Sequence, residues 1–248
     1  SISISLLFFT LLFYYFTTAV QYSGEAITGL FLVLTTNRIL NFLKSGGNTL
    51  NLFFIGILVS LTLLFNQISA LSLIALTIYL LFNIYKSSGK RVFLNNFLIL
   101  ATSALLPVIL VSLYFLKQSA LIDLFNNNFT YYLNYVKLAK GSGNLLSLPW
   151  NEIFLFYTPA IIGIYLALTL KKVSNISRPI LLLLLLASLA TIPSVIFSVF
   201  HRHHFLYVLP VLAILFGLVF DITLKSKDFP AKIILCLATL FVAYQLFQ

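Results

Sequence analysis

Long apolar runs, interrupted by short polar links, dominate the chain. They fall at about 2–20, 26–43, 50–65, 68–85, 92–116, 152–170, 179–199, 205–224 and 230–247. A helix that crosses the hydrocarbon layer needs roughly 20 mostly apolar residues. The pattern therefore predicts about nine helical spans. The run at 26–43 is the weakest, being short and carrying Asn37 and Arg38. Asn66-Gln67 separates the third run from the fourth as a tight turn. Between the fifth and sixth runs lies a polar and aromatic stretch, 117–150, which predicts a longer outer loop. Pro107, Pro159, Pro193 and Pro210 fall inside runs, where neighbouring helices can satisfy the backbone groups that a proline frees. The predicted fold is all-α, a polytopic transmembrane helical bundle forming a single domain over 1–248.

Alternation of the runs gives each link a side. If the link after the second run is cytoplasmic, the cytoplasmic links hold Arg38, Lys44, Lys86, Lys90, Arg91, Lys171, Lys172, Arg178, Lys225, Lys227 and Lys232, 11 basic residues. The opposite side holds Lys117, Lys137, Lys140 and Arg202, only 4. Short cytoplasmic loops of membrane proteins carry this excess of Lys and Arg. The same sorting puts Glu25, Asn66, Gln67, Asp123, Trp150, Glu152 and all three histidines on the outer side, and only Asp221 and Asp228 inside. Candidate chemistry therefore gathers on the extracytoplasmic face.

Composition agrees with this picture. Of 248 residues, 61% are hydrophobic and 8% charged, and the mean hydropathy is +1.07. Soluble chains average roughly 25% charged residues, so this chain has too few to cover a water-facing surface. The net charge of +10 resides in short links rather than on a basic face, which argues for membrane orientation and against nucleic-acid binding. The single cysteine, Cys236, sits inside an apolar run and excludes a disulfide framework within the chain. The chain lacks methionine and begins Ser1-Ile2-Ser3-Ile4, without the basic segment of a signal peptide. It reads as the C-terminal part of a longer protein. There is no phosphate-binding P-loop or glycine-rich dinucleotide motif. The runs also have no acid–base pairs at mid-span and no voltage-sensor arginine repeat.

Four features can carry chemistry. In His201-Arg202-His203-His204 the arginine fork suits a phosphate, and a histidine can add a donor or a proton. The same cluster can act as a polar helix cap reaching the headgroups. A divalent metal would need carboxylates from elsewhere, and the spacing matches no standard motif. Glu25 is either a catalytic carboxylate or an acid favoured by a helix N-terminus, an effect of about 0.3–1 kcal/mol. Gln67 can hydrogen-bond a phosphate or a sugar, or simply serve as a turn residue. The segment from Asp123 through Tyr131-Tyr132-Leu133-Asn134-Tyr135 to Trp150 can stack on sugars or anchor the chain at the headgroups. Asn128-Phe129-Thr130 fits a glycosylation sequon on the outer side.

The order of these features resembles the polyprenyl-phosphate-sugar-dependent glycosyltransferases of the GT-C class, relatives of protein O-mannosyltransferases and aminoarabinose transferases. Four stretches carry the resemblance. They are Gly24-Glu25 opening a span; residues 54–67, a glycine-containing span ending in the Asn66-Gln67 turn; Ala120-Leu121-Ile122-Asp123-Leu124-Phe125 with Asn134-Tyr135; and Arg202-His203-His204-Phe205-Leu206-Tyr207-Val208-Leu209-Pro210.

The resemblance implies transfer of a sugar from a polyprenyl-phosphate donor to an acceptor at the outer face of the cell membrane, with no resident cofactor. It implies that Glu25 occupies the family's second outer acidic position. Gln67 lies at the turn that approaches the donor phosphate, and Arg202 with His203 and His201 at the late phosphate contact. The lysine often found beside that turn is Asn66 here. The family's first-loop acid has no counterpart among these residues, because that loop would precede Ser1. A flippase, transporter or accessory protein for lipid-linked saccharides is the alternative.

Overall fold

A computed structural model of the chain describes residues 24–131, 134, 186, 209–225 and 229–246. Among these residues the fold is all-α, with no strand. The elements are α1 (Gly24–Ser45), α2 (Thr49–Phe65), α3 (Gln67–Lys117), α4 (Leu121–Phe125) running into a π-helical turn (Asn126–Thr130), α5 (Leu209–Lys225) and α6 (Phe229–Leu246). The predicted runs at 26–43, 50–65, 205–224 and 230–247 coincide with α1, α2, α5 and α6 to within a few residues wherever the chain is described.

Local chemistry accounts for the helix ends. Gly46 and Gly47, both at positive φ, terminate α1, and the Asn48 side chain caps α2 by accepting from the Leu50 N–H at 2.9 Å. Asn66 is the sole residue between α2 and α3. Its backbone is extended and its N–H donates to the Thr62 carbonyl. Its Oδ1 then accepts from the Ser69 N–H at 3.1 Å, capping α3.

α3 consists of two arms, 67–88 and 90–117, meeting at Gly89 with φ 78 and ψ 175. Only a residue without a Cβ takes this conformation readily. The arms fold back on each other. Tyr85 and Phe93 rings lie 5.6 Å apart across the break, whereas a rise of 1.5 Å per residue separates such positions by about 12 Å in a straight helix. Gly56 of α2 touches Ser103 and Leu100 of the second arm. By helical rise, a reversed second arm brings Ser103 to about 12 Å from the Asn66 turn, close to the level of Gly56 at about 14 Å, while a straight one would carry it beyond 50 Å. The first arm therefore runs antiparallel to α2 and the second arm parallel to it.

Contacts at both ends of α1 fix its direction. The Phe31 and Phe65 rings lie 5.9 Å apart, and Arg38 reaches Phe54 and Asn51. α1 is thus antiparallel to α2 and parallel to the first arm of α3. The four rods share two ends. The turn end holds the starts of α1 and α3, the end of the second arm, and α4. The basic end holds the 46–48 link and the Gly89 bend.

Leu32, Ile39, Leu52, Ile55, Leu73 and Leu80 are fully buried between these rods, and small hydroxyl residues lie among them. Thr28, Thr35, Thr36, Ser60, Thr62, Ser69, Ser72, Thr77 and Ser103 are buried, while Ile78, Phe82, Leu110 and Tyr114 are each about 60% exposed. Several buried hydroxyls bond back to the carbonyl four residues earlier, as Thr36 does to Leu32, Thr62 to Leu58 and Thr77 to Leu73. Among the described residues, Ser69–Lys117 is long and apolar enough to cross a membrane, and its apolar 18-residue stretch has a mean hydropathy of 2.3.

Candidate functional site at the turn end

The turn end brings together two of the sequence candidates. Thr28 in the first turns of α1 donates to the Ser69 hydroxyl at 3.2 Å, a buried contact across 41 residues. This bond sets the start of α1, where Glu25 is the second residue, beside the start of α3, where Gln67 is the first. Gln67 is half-buried. Two parallel helices thus present their N-termini at one end, and each N-terminus carries a partial positive charge that favours an anion.

Asn66 has a structural task that a lysine could not perform. Its amide oxygen caps α3 and gives that helix a well-formed start.

Of the predicted outer loop at 117–150, the described part from Leu121 to Thr130 is helical rather than extended. α4 begins after Ser119, at φ 58, and continues as the π-helical turn containing Asn128 and Thr130, where Thr130 donates to the Asn126 side chain at 3.3 Å. The Phe125 and Phe129 rings lie 5.2 Å apart. Asp123 is exposed. α4 folds over the ends of α2 and the second arm and closes a cavity of about 340 Å³. Leu63, Leu64, Val108, Leu121, Leu124, Phe125 and Phe129 line it, with Ser112 the one polar contributor. Its volume falls in the range of small-ligand sites, about 300–1,000 Å³, and its lining suits an aliphatic chain.

His201, Arg202, His203 and His204, together with Trp150 and Glu152, lie outside the described residues. Among the described residues no group of three His, Cys, Asp or Glu side chains could hold a metal ion.

The structure adds two features that sequence reasoning missed. One is the cavity, whose lining comes from the end of α2, the second arm of α3 and the helical segment 121–129. The other is Arg38, which the sequence reading used only as a cytoplasmic charge. Its guanidinium carbon lies 4.7 Å from the Phe54 ring centroid, and Nη1 lies 3.5 Å from Asn51 Oδ1. A cation in an otherwise apolar helix was the available signal. Its ring and amide partners sit on another helix.

Comparison with family models, curated proteins and solved structures found no match. The functional reading therefore rests on residues and geometry.

Proposed function

We propose that the chain forms a multi-pass bundle of about nine membrane-crossing helices, and that it transfers a sugar from a polyprenyl-phosphate donor to an acceptor at the extracytoplasmic face. The observation that carries this reading is the grouping at the turn end. There the Thr28–Ser69 bond joins the Glu25-bearing and Gln67-bearing helix starts, on the same end of the bundle as an apolar cavity able to take a lipid chain.

The membrane part of the proposal is supported by the distribution of side chains. Small hydroxyl residues lie between the helices beside Leu and Ile, and many further large apolar side chains lie on the outside, a combination that suits helices packed in lipid. Each arm of α3 exceeds the roughly 20 residues of a span. Lys44, Lys86, Lys90 and Arg91 cluster at the end opposite Glu25, Gln67 and Asp123, matching the orientation that the basic links predict.

In the proposed chemistry the donor's phosphate leaves the anomeric carbon with growing negative charge. Arg202, His201 and His203 stabilise that charge in a water-poor niche, with Gln67 donating to a phosphate oxygen. Glu25 orients or deprotonates the acceptor hydroxyl. A reading as a flippase or transporter for lipid-linked saccharides draws on a different observation. The hydroxyls of Thr35, Ser60 and Ser72 are buried without a hydrogen-bond partner, and polar groups left between helices can border a path.

The test is sugar transfer from a polyprenyl-phosphate donor by the full-length protein. Arg202→Ala is expected to lower transfer about 100-fold or more, the scale on which loss of one charge-stabilising donor acts. Full activity in that variant would remove the phosphate role. Movement of the donor across vesicles without transfer would favour the flippase.

A further inference from the structure

We propose that the basic end of the bundle is a binding surface for the phosphate headgroups of anionic phospholipids, built from Lys44, Lys86, Lys90 and Arg91 around the inward-leaning Arg38. The inference rests on the membrane reading above but is independent of glycosyl transfer.

Topology brings these residues together from separate stretches. Lys44 is in the last turn of α1, and Lys86, Lys90 and Arg91 flank the Gly89 bend. All four are exposed. Both acids described between residues 24 and 131, Glu25 and Asp123, are at the opposite end, so no acid of α1 to α4 neutralises the cluster. Lys225, by contrast, already pairs with Asp221 at 2.8 Å.

Arg38 gives the surface a directional element. The Phe54 ring and the Asn51 amide hold the guanidinium at the α1–α2 interface, and no carboxylate pairs with it among the described residues. A guanidinium carries five N–H donors in a fixed fork, and Asn51 uses one. The fork matches two oxygens of a phosphate. The 46–48 link at the end of α1 leaves space open, because a side chain built on Gly46 or Gly47 would meet nothing within 4 Å. Four to eight basic residues next to a membrane span favour anionic lipid, each strengthening binding about fivefold.

The occupant is a lipid rather than a soluble phosphate because of the surroundings. Large apolar side chains on the outer faces of α3, among them Phe82 and Leu94, are exposed next to the cluster. A headgroup held there keeps its acyl chains against that surface.

The experiment reconstitutes the full-length protein in nanodiscs of phosphatidylcholine with a minor share of phosphatidylglycerol, then measures the phosphatidylglycerol retained after detergent extraction. The expected result is enrichment of phosphatidylglycerol that falls in high salt. Lys86→Gln/Lys90→Gln/Arg91→Gln should lower it by about two orders of magnitude in affinity, and Arg38→Gln by at least several-fold. The charge-keeping variant Lys86→Arg/Lys90→Arg/Arg91→Lys and the remote Lys117→Gln should retain it, which separates loss of charge from loss of fold.

Equal retention in the triple glutamine variant would overturn the proposal. So would complete displacement by inorganic phosphate at unchanged ionic strength, which would assign a soluble anion. Failure of the protein to enter nanodiscs at all would instead overturn the membrane reading on which the proposal stands.

Discussion

Gly56 lies directly against Ser103. A Cβ built on Gly56 would meet the Ser103 hydroxyl and stand 2.6 Å from the Leu100 carbonyl oxygen. The contact locks α2 to the second arm of α3 and holds the fold-back at Gly89 closed. Small residues at such positions let helix backbones approach without a hydrophobic driving force between them.

Gly56→Ala is therefore expected to push the two helices apart. The obstructing group is backbone, so the cost should be that of overpacking, about 1–3 kcal/mol. Thermal unfolding of the purified protein in detergent checks this. Ser103→Ala should be milder, because the Ser103 hydroxyl bonds only to the Leu100 carbonyl of its own helix.

Gly89→Ala probes a different property of the same hairpin. No atom lies within 4 Å of the added methyl, so any loss comes from the backbone at φ 78. With ψ at 175 as well, this is a region essentially restricted to glycine, and an L-residue held there costs roughly 1–3 kcal/mol. Gly89→Asn should lose about as much, since the tolerance of Asn for positive φ is confined mostly to the left-handed helical region. Equal unfolding temperatures for all three proteins would remove the conformational argument for the bend.

Much of this hairpin was legible in the sequence, and the reasons are local. The tight turn at Asn66-Gln67 and the polar interruption between the runs at 68–85 and 92–116 marked the end of α2 and the break between the two arms. The roles of Asn48 as a cap and of Gly89 at the bend emerge only from the backbone. The partners of Gly56 and Arg38 could not be read in this way. Gly56 meets Leu100 and Ser103, and Arg38 meets Asn51 and Phe54, and these pairings depend on how helices rotate about their axes. The cavity was invisible for the same reason. The outer stretch after Lys117 was read as a loop because its amides mask an amphipathic turn, and Asn126-Asn127-Asn128 proves to be helical. At the candidate site, the sequence placed Glu25 and Gln67 on one face, and the Thr28–Ser69 bond puts their helix starts side by side.

Arg38 and Phe54 should show measurable coupling. A cation over an aromatic face contributes about 0.5–2 kcal/mol, more when water is excluded. Arg38→Ala, Phe54→Leu and the double variant form a cycle in which the second substitution costs less once the first is made. Additive losses would indicate that the 4.7 Å stacking contributes no energy. Arg38→Lys should recover part of the loss, because the ammonium keeps the charge but not the planar fork.

In the proposed arrangement the two ends of the bundle face opposite sides of a membrane, with Gln67 and α4 outside and the Gly89 bend inside. The most direct measurement labels single cysteines in intact cells with a membrane-impermeant maleimide, in a Cys236→Ser background. Gln118→Cys should label without permeabilisation, and Ser88→Cys only after it. Labelling of both positions in intact cells, or of Ser88→Cys alone, would contradict the account.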